Sequence, residues 1–232
     1  PIPLGKSKVS GYRNFVNKLW NAGRFVQFQL SESENVIPSL TPKNLSEKWL
    51  LHRFSEVCAN VSQKLKKYEI SAAGDEIYHF VWDEFCNWFV ETSKVSRNPA
   101  FLYGIFLEIL KLAHPLVPFV TEKLWQDLAK DDEFLIEKSF PAPDFQDKKS
   151  VALFAQIQMI VTELRKVRAE KKLPPREKIS IHISAGKSAD EIAAQSDLIA
   201  VLGGCSTVKV AEKISQKPEH SVTVLSEGME IF

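Results

Sequence analysis

Apolar residues recur at steps of three and four from Tyr12 to Val167, and beyond Pro174-Pro175 the step falls to two. A period near 3.6 builds helices with one buried face, and a period of two builds half-buried strands. The chain therefore divides into a long helical part and a short mixed tail. The first helix, Ser7 to Phe28, carries Tyr12, Phe15, Val16, Leu19, Gly23 and Val26 as its stripe. Asn44 or Ser46 is placed to cap a second, with Leu50, Phe54, Val57, Val61 and Leu65 on one side. A third, Ser71 to Lys94, is apolar over a broad arc through Ile77, Val81, Phe85 and Phe89, which predicts a central place in a bundle. Pro99 opens a fourth that ends at His114-Pro115, and a fifth follows Pro118 with Val120, Leu124, Trp125 and Leu128 inward. A further helix runs from Lys149 to Lys172 on Leu153, Ile157, Ile160, Leu164 and Val167. In the tail, Ile179, Ile181 and Ile183 alternate with polar residues, and Ser188 to Leu202 predicts a short helix closed by Gly203-Gly204. Strands are predicted at 208–210 and 221–225, and Met229 to Phe232 reads as a strand cut off in mid-course, as in a piece of a longer protein. The expected fold is mainly α: an antiparallel helix bundle over residues 1–147, then a connecting helix and a small α/β subdomain over residues 148–232.

Fifteen Phe, five Trp and four Tyr at 44% apolar content exclude disorder as the main state. No apolar run approaches the roughly 18 residues of a membrane helix, and the start has no signal-peptide core, so a soluble, cytoplasmic monomer is expected. Cys58, Cys86 and Cys205 are far apart and odd in number, which predicts buried, reduced thiols and no metal site. The chain holds no Gly-rich phosphate loop, no His-x-x-x-His or Cys-x-x-Cys pair and no Gly-x-Ser-x-Gly elbow, so no catalytic residue is assigned. His114 is read as part of a turn; His52, His79, His182 and His220 show no partner by spacing. The neighbours Asp75/Glu76 and Asp83/Glu84 diverge around their helix and read as solvated faces.

Net charge is only +1, but it is unevenly spread. Before Ser31 there are Lys6, Lys8, Arg13, Lys18 and Arg24 and no acid; a second run holds Arg165, Lys166, Arg168, Lys171, Lys172, Arg176 and Lys178. On the first helix Asn14, Lys18, Asn21 and Phe25 share a face, roughly 120° from the apolar stripe in the case of Phe25. Arg13, Asn17 and Arg24 form the adjacent stripe. An aromatic among amides and cations suits a base stacked on its ring, with phosphates held nearby. The other reading is that Phe25 packs under a neighbouring helix and the charges are ordinary solvated surface.

Four stretches resemble one family. Gly11-Tyr-Arg-Asn-Phe-Val-Asn-Lys-Leu-Trp-Asn-Ala-Gly-Arg-Phe-Val26 is similar to the first anticodon-domain helix of the valyl-tRNA synthetases. Glu76 to Glu91, His114 to Trp125 and Val161 to Glu170 resemble that family's later helices, in order. The resemblance implies the helix bundle of a class I aminoacyl-tRNA synthetase, which joins valine to its tRNA with ATP and Mg. It implies that this stretch binds the anticodon region of valine tRNA, holds no cofactor and is inactive alone, the catalytic and editing domains lying elsewhere. The family's anticodon contacts fall on Lys18 and Phe25, with the helix end from Trp88 to Glu91 beside them. Glu91 suits a cytosine amino group, though a capping or solvated role fits its position as well. Arg165 and Arg168 are expected on the tRNA backbone. Two other functions stay open from sequence: a standalone RNA-binding paralogue, and a helical scaffold for protein partners.

Overall fold

The computed structural model describes residues 6–33, 35–129, 133–174, 176–214, 221–226 and 228–232, the first four by backbone alone. Pro175 and the side chains of Lys6 and Lys8 lie outside the described residues. The chain forms two compact units, 1–147 and 148–232.

In the first unit, α1 (Lys6–Ser31) buries Phe15, Leu19, Ala22 and Val26. Tyr12, expected in that stripe, is 63% exposed, so the core-facing line is rotated toward Phe15, whose ring lies 5.2 Å from Tyr78. Between α1 and the next helix, Asn44 and not Ser46 is the cap: its carboxamide oxygen accepts from the Glu47 N–H at 3.0 Å. Glu47 reaches back to the Lys43 N–H at 2.6 Å, so two otherwise orphan donors are satisfied reciprocally at the start of α2 (Leu45–Lys66). The Glu47 carboxylate is almost fully buried and also accepts from the Asn44 and Asn98 amides.

The third helix is the main departure from the expected geometry. It begins as α3 (Ile70–His79), widens into a π-helical stretch (Phe80–Phe89) and closes as α4 (Val90–Ser93). Bonding to the fifth residue enlarges each turn, so the buried positions fall at Phe80, Phe85 and Phe89 and at Val81 and Cys86. Phe80 meets Phe54 of α2 at 5.5 Å. On another side Phe85 meets Phe106 at 5.8 Å and Phe89 meets Phe101 at 5.7 Å, both rings belonging to α5 (Pro99–Ala113). Eleven of the fifteen α5 residues are buried, and a helix apolar on all sides occupies the core. At Gly104 an added Cβ would lie 2.5 Å from the Ser39 carbonyl oxygen, which is how closely the extended segment before α2 crosses this helix. A last helix, α6 (Pro118–Leu128), buries Leu124, Trp125 and Leu128, while Val120 is only half-buried. His114 is anchored to it, Nδ1 lying 2.8 Å from Thr121 Oγ1.

The second unit starts with α7 (Lys148–Glu170), which buries Phe154, Ile157, Ile160, Val161 and Leu164; Leu153 and Val167 are only half-buried. Among the described residues four strands follow: β1 (Ile179–Ser184), β2 (Cys205–Ala211), β3 (Val224–Ser226) and β4 (Met229–Ile231). Their order is β2-β1-β4-β3, with β1 parallel to β2 and the other pairs antiparallel. The helix expected over 188–202 is broken into α8 (Ala189–Ala193) and α9 (Ser196–Gly203), where Ser196 Oγ donates to the Ala193 carbonyl and competes with helix continuation. Gly204, at φ +69°, ends α9 in the left-handed conformation.

Candidate nucleic-acid interface

On α1 the residues at i, i+3 and i+7 share a face, and Lys18, Asn21 and Phe25 stand there with Ala22 beside them. Opposite them lie Cys86 of the π-helical stretch, Val90 and Glu91 of α4, and Lys94 just beyond it. These eight residues line an open cleft of about 340 Å³ in the first unit. Lys18 is fixed rather than waving in solvent: Nζ donates to Asn87 Oδ1 at 3.0 Å and stands 5.1 Å from the Trp82 ring. Phe25 is half-buried, with Lys94 Nζ at 5.9 Å from its ring centre. Lys94 also donates to Glu91 Oε1 at 2.7 Å.

The cleft thus carries two ammonium groups, one carboxylate, an amide and an aromatic face. The Cys86 thiol in its wall stays neutral, because burial pushes it up to about 12 against the opposite pull of Lys18. It contributes an apolar surface and no charge.

Of the residues singled out by sequence, Lys18, Asn21, Phe25 and Glu91 come together in this cleft. Arg13, Asn14, Asn17 and Arg24 are exposed on α1. Trp88 is half-buried on the facing helix and does not line the cleft. Lys94, Cys86 and Val90 were not anticipated. Lys94 had a signal in its spacing of three from Glu91 on a helix, which favours an ion pair.

Arg165 and Arg168 lie in the second unit. Arg168 is not a free phosphate contact: its guanidinium donates to the carbonyls of Pro174 at 2.9 Å, Glu177 at 2.7 Å and Gly204 at 3.2 Å. These bonds tie the end of α7 to the strands. Arg165 is exposed, and one guanidinium nitrogen lies 3.4 Å from the Leu202 carbonyl oxygen.

Three of the four carboxylates taken as solvated faces, Glu76, Asp83 and Glu84, are engaged. Glu84 accepts two bonds from Arg53 at 2.9 and 3.0 Å, and this hydrogen bonding raises the guanidinium above its ordinary range although burial opposes it. Glu76 accepts from Asn60 and Lys64, and Asp83 meets His79 Nδ1 at 2.9 Å. His52 also has a partner, its buried Nδ1 accepting from the Asp147 N–H at 3.0 Å. The Arg53 and Asn60/Lys64 contacts brace α2 against the third helix, away from the cleft. Among the described residues there is no group of three His, Cys, Asp or Glu that could hold a metal, and no helix long and apolar enough to cross a membrane.

A family model described as the anticodon-binding domain of tRNA ligase matches residues 47–183. The chain belongs to that family. The matched stretch of this anticodon-binding domain contains the Glu91 side of the cleft; α1 precedes it. Among curated proteins, the whole chain is similar to a valine–tRNA ligase of Bacillus cereus, at 31% identity over 246 aligned positions. A valine–tRNA ligase of Fervidobacterium nodosum is 34% identical over 91% of the chain. The chain spans 28% of the first of these relatives and 25% of the second.

Proposed function

We propose that this domain reads the anticodon of valine tRNA on behalf of a valine–tRNA ligase. Valine codons begin with G and U, so every valine anticodon ends in A and C, and the two bases must be told apart from others while the first is tolerated. A splayed adenine stacked on Phe25 supplies sequence-tolerant affinity, and a carboxylate such as Glu91 accepts from the cytosine amino group. Asn14, Asn17 and Asn21 offer amides to base edges. Arg13, Lys18 and Arg24 offer cations to the strand's phosphates. Activation of valine with ATP and Mg belongs to the part of such a ligase that aligns outside this chain, and no step of it runs through the residues described here.

The observation that carries this reading is the cleft itself: Lys18, Asn21, Phe25 and Glu91, which the sequence pattern and the family resemblance point to, line one open space. A protein-docking scaffold would have no need of two ammonium groups and an amide set around an aromatic face. Replacement of Phe25 by Ala tests the reading. It should cost about 1–3 kcal/mol of tRNA affinity, the value of one stacked base. Folding stability should fall by well under the about 3–5 kcal/mol that a core phenylalanine carries. Loss of stability with unchanged affinity per folded molecule would return Phe25 to a packing role.

A further inference from the structure

In the free protein the ring of Phe25 is already occupied. One ammonium, that of Lys94, both covers this ring and holds Glu91. The aromatic face and one of the two oxygens of the Glu91 carboxylate are therefore engaged by the same group. A flat base seated on Phe25 takes the space of the ammonium. Once the ammonium leaves, the Glu91 oxygens are available to an exocyclic amino group.

Lys18 makes an instructive contrast. It is held by a neutral amide and an indole face, so it faces the strand with its charge uncancelled and has no reason to move. Lys94 is neutralised by Glu91, and its side chain is 48% exposed on a flexible four-carbon stem, so a change of rotamer carries its ammonium out of the cleft. Each base arrives with its own phosphate, which offers the displaced ammonium a new partner of the same sign as the one it leaves.

We propose that Lys94 is the gate of the cleft: it caps Phe25 and pairs with Glu91 in the free protein, and on binding it yields the ring to a splayed base and pairs with that nucleotide's phosphate. This rests on the anticodon-reading function proposed above. The gate opens only for a strand that delivers a base. Duplex backbone, which brings phosphate alone, leaves Glu91 Oε1 paired with Lys94.

The test is the salt dependence of valine-tRNA binding for four variants. Lys94→Gln should weaken binding about three- to tenfold at low salt. It should also lower the slope of log affinity against log salt by about 0.7–0.9, the share of one phosphate. Glu91→Gln should keep the wild-type slope. The double variant Lys94→Gln/Glu91→Gln should keep the lowered slope, because the lost contact is to RNA and not to Glu91. A double variant that regains the wild-type slope would show a static ion pair and overturn the gate, as would an unaltered slope in Lys94→Gln. Phe25→Leu separates the two levels of the argument: if it weakens binding while the gate outcomes fail, anticodon reading stands without the gate, and if it binds as wild type, both fall. Melting temperatures within the error of wild type for the Lys94 and Glu91 variants exclude a folding origin.

Discussion

At the scale of single residues, burial decides chemistry more than identity does. Cys58 and Cys86 are both pushed up to about 12 by burial, and Cys205 to about 11, against an ordinary value near 9. An unfolded chain releases these protons first, so above pH 9 it binds fewer protons than the folded state and stability falls as pH rises toward 11–12. The slope is about 1.4 kcal/mol per pH unit for each thiol, and the full contribution is present below pH 9. Urea unfolding at pH 8 and pH 10 should show a drop that a triple Cys→Ala variant lacks. The same thiols should resist alkylation at neutral pH until the protein unfolds. Arg168 illustrates the same principle with the opposite sign of charge. Sequence placed it in a basic run; position within a run does not disclose that three carbonyls converge on one guanidinium. Arg168→Ala should cost about 1.5–3 kcal/mol of stability in the second unit, measured by chemical denaturation, since bonds from a charged donor are lost. It should leave the salt slope of tRNA binding unchanged.

At the scale of elements, what was legible in the sequence followed the α-helical period, and what was missed lies where that period changes. Pro99, Pro118, Asn44 and Gly204 punctuate the chain where their backbone chemistry requires, and the strand alternation at Ile179, Ile181 and Ile183 holds in β1. The third helix was legible as central but not as π-helical. On an ideal α-helical wheel Glu84, Asn87 and Glu91 share a face. In the widened turn Glu84 points to Arg53 of α2, while Asn87 bonds Lys18 and Glu91 lines the cleft. No pattern of residue types announced that enlarged turn, so the partners of Lys18 could not be read ahead of the structure. Two glycines give a paired check on packing between elements. Gly104→Ala drives a methyl into the Ser39 backbone and should destabilise by about 1–3 kcal/mol or more, because backbone cannot step aside. Gly11→Ala, on α1 with nothing within 4 Å of the added carbon, should instead stabilise by about 0.5–1 kcal/mol. Thermal unfolding of the two variants side by side distinguishes these signs.

At the scale of the molecule, a net charge of +1 gives little general attraction to a polyanion, so affinity for tRNA has to come from where the charge is placed. The acid-free α1 and the two lysines of the cleft supply that placement. Assayed alone, the chain should catalyse no valine-dependent exchange of pyrophosphate into ATP, since its proposed task is recognition. The most direct measurement is the affinity of the wild-type protein for two valine tRNAs that differ only in the middle anticodon nucleotide, complete in one and abasic in the other. If that base stacks in the cleft, removing it should weaken binding by about 1–3 kcal/mol, on the order of tenfold or more, and the difference should vanish in Phe25→Ala. Equal affinity of the wild-type protein for both tRNAs would contradict the account.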